Sequence, residues 1–72
     1  MEVINESFAP TVSLGEKYML TIKEAAIYFN IGTKKLRRLA EDNLGIYSIY
    51  SGNRYLIIRP KFEEYLCGIS TI

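Results

Sequence analysis

The stretch TIKEAAIYFNIGTKKLRRLA, residues 21–40, holds two amphipathic patterns separated by a short break. In the first, Ile22, Ala25, Ala26 and Phe29 recur at i, i+3, i+4 and i+7, the spacing of one apolar helix stripe. Thr21 and Glu24 stand where a capping box needs them, each able to satisfy the other's backbone N–H. Asn30 and Gly32 predict the stop and the turn, with Ile31 between them as a core contact. The second pattern takes its inward face from Leu36, Leu39 and Ala40, with Thr33 as the predicted N-cap. Its end is expected near DNLG, residues 42–45, where Asn43 or Gly45 takes a left-handed conformation. Two short helices joined by about three residues that include a glycine have the spacing of a helix-turn-helix.

Outward from this pair, YML at residues 18–20 predicts a short strand. Downstream, IYSIYSGNRYLIIRP, residues 46–60, predicts a hairpin with Gly52-Asn53 in a two-residue turn. That register pairs Tyr50 with Tyr55 and Ile49 with Leu56. It places Tyr47, Ile49, Leu56 and Ile58 on one apolar face, read as the core side, with Ser48, Tyr50, Tyr55 and Arg59 opposite. Pro60 opens a last helix that turns Phe62, Tyr65 and Leu66 inward, with Gly68 as its stop. The fold class is therefore α+β. Its order is short strand, two helices, a hairpin wing and a C-terminal helix, a winged helix-turn-helix over residues 18–72. Residues 1–17, with no sustained periodicity and with Pro10 and Gly15, are read as a flexible N-terminal arm.

Charge is distributed as unevenly as structure. The chain of 72 residues carries a net charge of only +1. Residues 1–16 contribute −3, residues 17–61 contribute +6, and residues 62–72 contribute −2. The basic middle is concentrated on the second helix, where Lys34, Lys35, Arg37 and Arg38 fall within six positions. Projected at about 100° per residue with Leu36 at zero, Lys34 and Arg38 lie near 160° and 200°, opposite the apolar face. Arg37 and Lys35 flank them near 100° and 260°. Glu41 and Asp42 follow at the helix end. Cations at a helix start and acids at its end both oppose the helix dipole, by a few tenths of a kcal/mol each. An anionic partner at the helix start removes that conflict.

The chemistry that fits is double-stranded DNA. The second helix of such a pair enters the major groove, and arginine and lysine match guanine's acceptors. Lys34, Arg37 and Arg38 are candidates for base contact and Lys35 for phosphate, with Thr33 capping the helix and touching the backbone. At the hairpin tip, Gly52 permits close approach, and Asn53 and Arg54 are candidates for the sugar-phosphate backbone or the minor groove. Lys23, in the first turn of the first helix, is a further phosphate candidate. Tyr28 and Tyr50 are the tyrosines expected to be partly exposed.

Other classes find little support. With no histidine in the sequence, a serine–histidine–aspartate triad and a histidine-ligated metal site are excluded. Cys67 is read as partly buried apolar filler. Adjacent Glu63 and Glu64 point about 100° apart on a helix, poor geometry for shared acid–base work. No glycine-rich phosphate loop occurs, and no enzyme, metal or cofactor is expected. No apolar run reaches the ~20 residues of a membrane helix. A lone cysteine and an acidic start predict a cytoplasmic, nucleoid-associated protein without a signal peptide.

LTIKEAAIYFNIGTKKLRRLAED, residues 20–42, followed by SGNRYLIIRPKFEEYL, residues 51–66, resembles the small excisionases of Gram-positive conjugative transposons. These are winged-helix proteins related to the wider excisionase and MerR-type DNA-binding domains. The resemblance covers about residues 17–67. It implies a recombination directionality factor that binds near the ends of an integrated element, bends the DNA and helps a tyrosine-type integrase to excise it. Such a factor performs no strand chemistry itself. The implied contact positions are Lys34, Lys35, Arg37 and Arg38 on the helix, and Asn53 and Arg54 on the wing. Further copies on the same DNA are a reasonable expectation, since one small domain covers few base pairs. A transcriptional regulator of the same fold remains the alternative, because the same contacts serve both roles.

Overall fold

The computed structural model describes residues 13–72. After a 3₁₀ turn at Leu14–Glu16 come strand β1 (Met19–Thr21), helix α1 (Ile22–Phe29) and helix α2 (Thr33–Asp42). Strands β2 (Ser48–Ser51) and β3 (Arg54–Ile58) and helix α3 (Arg59–Cys67) complete the chain. The sheet is antiparallel in the order β1-β3-β2, so β3 is central and the hairpin is tied to the start of the helical pair. This is the α+β winged-helix arrangement that the sequence predicts. Residues 1–12 of the expected arm lie outside the described part, while the turn that follows them passes beside Tyr28, whose ring a Cβ at Gly15 would meet at about 3.5 Å.

Local chemistry explains the helical pair. Thr21 Oγ1 accepts from the Glu24 N–H at 3.1 Å and Glu24 Oε1 accepts from the Thr21 N–H at 3.0 Å, a complete capping box. Asn30 ends α1 in the left-handed region at φ 59°, and the Ile31 N–H closes back on the Ala26 carbonyl. Thr33 does not cap α2. It is already the first helical residue, Gly32 holds the cap position, and no side chain accepts there. The chain leaves the turn in extended backbone at Gly32, one residue earlier than expected, so the threonine hydroxyl is past the position from which it caps.

The other end of α2 is held firmly. The Asn43 amide donates to the Leu39 carbonyl and to the Tyr47 hydroxyl, both at 2.8 Å. The Ser48 hydroxyl donates to the Ala40 carbonyl at 2.7 Å. Two of the carbonyls that a helix end leaves without intrahelical partners are thus satisfied by side chains. Gly45, at φ 86°, takes the left-handed turn beyond the helix; Asn43 does not.

Leu20, Ala25, Leu36, Ala40, Tyr47, Ile57 and Phe62 form the buried core. Rings dominate its centre: Phe62 packs on Phe29 and on Tyr47, each at 4.8 Å between centroids. The hairpin register is the predicted one, with Tyr50 opposite Tyr55 and Ile49 opposite Leu56, and Gly52 at φ 66° in the turn. The buried face, however, is not the predicted one. Leu20, Ile57 and Ser48 share a rung and are fully buried beneath the helices. Ile49, Leu56 and Ile58 are half-buried on the opposite face and do not join the core, although Tyr47 does. The buried face includes a serine, whose hydroxyl meets its donor requirement on the Ala40 carbonyl of α2. Two smaller corrections concern the last helix. Arg59 begins α3 rather than continuing the strand, and Cys67 is exposed. Among the described residues no helix is long and apolar enough to cross a membrane.

Candidate nucleic-acid interface

All eight predicted contact residues are exposed: Lys23, Thr33, Lys34, Lys35, Arg37, Arg38, Asn53 and Arg54. The fold brings most of them to one side. Lys23 and Arg37 border the same cleft as Asn53 and Arg54, an open hollow of about 740 Å³ between the starts of the helices and the hairpin. Tyr50 and Tyr55 form part of its wing side, their rings edge-on at 4.8 Å. A smaller hollow of about 350 Å³ joins Lys23, Thr33, Lys34 and Arg37 around the first turns of both helices.

Lys35 and Arg38 diverge from this grouping. With Lys34 and Asp42 they border a second cleft of about 430 Å³ on the flank of α2 away from the wing, together with Leu39 and Ile72. There the Lys35 ammonium donates to the Ile72 carbonyl at 3.0 Å, so the segment after α3 reaches back to the basic helix. Lys34 borders hollows on both flanks, whereas Arg38 borders only the far one. None of Lys23, Lys34, Arg37, Arg38 and Arg54 forms an ion pair among the described residues. The first turn of α2 contains no acid, and no side chain caps it. Three of these cations, Lys23, Arg37 and Arg54, border the hollow between α2 and the wing, Lys34 adjoins Lys23 and Arg37 at the uncapped helix start, and Arg38 faces the other flank. The physical result is a surface that attracts extended anions.

The cleft takes in two side chains that sequence reading left off the interface. Glu41 falls near 140° in the projection, between Arg37 and Lys34, and borders the cleft. Tyr50 is 57% exposed at the wing, on the strand face that the sequence reading turned away from the core and that the structure turns toward α2. Tyr28 is different: its hydroxyl donates to Glu63 at 2.9 Å, away from the cleft, and the Glu63 carboxylate holds its pKa above the ordinary value. No group of three or more acidic or sulfur side chains suited to a metal is found among the described residues.

Comparison with known proteins agrees with this geometry. Residues 5–72 match the family model described as excisionase from transposon Tn916. A curated relative from Streptococcus agalactiae serotype V, named excisionase from transposon Tn916, is 45% identical over 62 residues. The alignment covers 85% of this chain and 92% of that protein. The match runs through the helical pair, the wing and α3 alike, and the chain belongs to the Tn916 excisionase family.

Proposed function

We propose that the protein is a DNA-binding excisionase, which attaches near the ends of an integrated mobile element and promotes its removal by a tyrosine-type integrase. The observation that carries this reading is the set of cations around the α2–wing cleft without acid partners among the described residues. On a globular surface such a concentration is costly unless a polyanion meets it. Helix α2 lies in the major groove, with Lys34, Arg37 and Arg38 toward the bases. Lys23 and Thr33 meet the phosphates beside the helix starts. Lys35 joins them once its contact with Ile72 is exchanged for a phosphate. Asn53 and Arg54 carry the wing onto the adjoining backbone or minor groove, where their grip favours a bent duplex. Family membership supports the role in excision, with the strand chemistry left to the integrase.

The test has two stages. Purified protein is titrated with duplex from the element ends over a range of salt. Several neutralised phosphates make log affinity fall steeply with log salt. Excision is then measured in cells with the matching integrase, with and without this protein. Equal excision in both would remove the directionality role. A footprint confined to a promoter, with none at the element ends, would make the protein a regulator instead.

A further inference from the structure

We propose that Glu41 is a specificity-determining residue, whose carboxylate accepts a hydrogen bond from the exocyclic amino group of a cytosine in the major groove. The inference rests on the DNA-binding reading above and assigns that surface a base it selects.

Glu41 is an exposed acid in a cleft otherwise bordered by Lys23, Arg37 and Arg54. It stands one helical turn after Arg37, at the i+4 position where an arginine and a glutamate commonly pair. No such pair forms, and Glu41 makes no hydrogen bond to a described side chain. Its placement is unfavourable in two ways if the surface serves only to hold phosphate. An acid near a helix C-terminus opposes the dipole, and a carboxylate beside a DNA backbone repels it.

Phosphates and sugars of DNA offer a carboxylate no hydrogen-bond donor. Base edges do. In the major groove the donors are the amino groups of cytosine and adenine, and a carboxylate, which only accepts, suits cytosine N4. Adenine presents a donor and an acceptor together and is matched better by an amide. Arg37 and Glu41 are separated by about 6 Å along the helix axis, and base pairs are stacked at about 3.4 Å. The two side chains therefore address base pairs within about two steps of each other, the arginine taking guanine acceptors and the glutamate a cytosine donor. Asp42, the next residue, borders the other cleft with Lys35, Arg38 and Ile72, so only one of the two acids faces the wing.

The experiment uses the full chain and its Glu41→Ala and Glu41→Gln variants. Each is selected on a pool of randomised duplexes. The preferred duplex, its single-pair variants and a scrambled duplex are then titrated at several salt concentrations. The wild type is expected to prefer cytosine at one position by about tenfold. Glu41→Ala loses that preference without weaker binding to the scrambled duplex and without a change in salt dependence. Glu41→Gln moves the preference toward adenine. If both variants keep every preference of the wild type and bind all duplexes more tightly, Glu41 only repels backbone and the proposal is wrong. A uniform loss of binding with a lowered melting temperature would also overturn it, by making Glu41 structural. A wild type that binds no DNA at low salt sinks the function itself, whereas retained preferences in the variants sink only the role of Glu41.

Discussion

Helices α1 and α2 are neighbours of similar length, yet they settle their charges in opposite ways. At the start of α1 the polar groups other than Lys23 are met inside the protein. Its first turn is closed by a capping box, and Glu24 also binds the Lys17 ammonium. On the same side Arg59 donates to the Lys17 carbonyl at 2.6 Å and to Glu63 at 3.0 Å, with Tyr28 completing the group. At α2 the start is uncapped, the first turn is basic, and the charged face has no acid partner among the described residues. Only its far end is satisfied, by Asn43 and Ser48. One helix is anchored at the end that faces the sheet. The other is anchored from behind and left electrostatically open in front. In the proposed reading that open helix receives the duplex, and the wing supplies the second wall of the cleft.

The largest expected effect breaks the open side. Arg37→Ala with Arg38→Ala removes two charges that the fold does not use. DNA affinity should fall by roughly 1–3 kcal/mol for each arginine that contacts a base. The melting temperature should stay level or rise slightly, because both side chains are exposed and alanine is the best helix former. Equilibrium binding beside thermal melts checks this. A double variant that unfolds would make these arginines structural and erase the distinction between the helices.

Next comes the anchor behind α2. Ser48→Ala removes the 2.7 Å hydrogen bond to the buried Ala40 carbonyl and leaves it only the long 3.4 Å contact from the Asn43 N–H, which costs about 1 kcal/mol or more of stability. DNA affinity measured below the melting transition should change much less. Urea unfolding gives the first quantity and a binding titration the second. A Ser48→Ala protein of wild-type stability would mean that the buried hydroxyl contributes nothing to holding α2.

Two threonines then offer a direct contrast. Thr21→Ala deletes the capping box of α1 and should cost about 1 kcal/mol. Thr33→Ala should cost almost nothing, since Thr33 caps nothing and is exposed. The sequence alone ranks these substitutions as equals, because both threonines precede an apolar stripe. What separates them is the backbone at Gly32, whose extended conformation starts α2 one residue early.

The same kind of gap limits the rest of the sequence reading. Helix stripes, turn chemistry and the hairpin register were legible because each depends on near neighbours: Asn30 and Gly52 take the positive φ their positions require. The buried face of the sheet was not, because it depends on a contact eight residues away in the chain, between Ser48 and Ala40. For the candidate interface, helical phase was enough to place Lys34, Arg37 and Arg38 outward. It gave no sign that Lys35 turns to Ile72, a partner 37 residues away. Glu41 was legible in angle, and its place in the cleft required the wing to be put beside it.

The smallest effect separates the helices by pH. The Glu24 carboxyl is held below its ordinary value of 4.5: partial burial alone would raise it, but the hydrogen bond from Lys17 and the Thr21 N–H prevail. A carboxylate whose pKa is lower folded than unfolded adds stability that is present above the ordinary value. That stability is lost as pH falls through the folded value. Glu63 is shifted the same way by Tyr28 and Arg59. At the alkaline end Tyr47 runs in the opposite sense. Burial pushes its hydroxyl from 10.0 up to about 12, so stability is lost as pH rises from the lower figure toward the higher. Glu24→Gln keeps the reciprocal cap, since glutamine also serves at that position, and removes only the charge. The variant should be less stable than wild type at neutral pH by under about 1 kcal/mol, the scale of a partly exposed ion pair. The difference should shrink to nothing well below pH 4.5. Melting temperatures of both proteins across that range measure it directly. A gap that persists in acid would show that the Lys17–Glu24 charge pair is not what stabilises the start of α1, and α1 would then be no better settled electrostatically than α2.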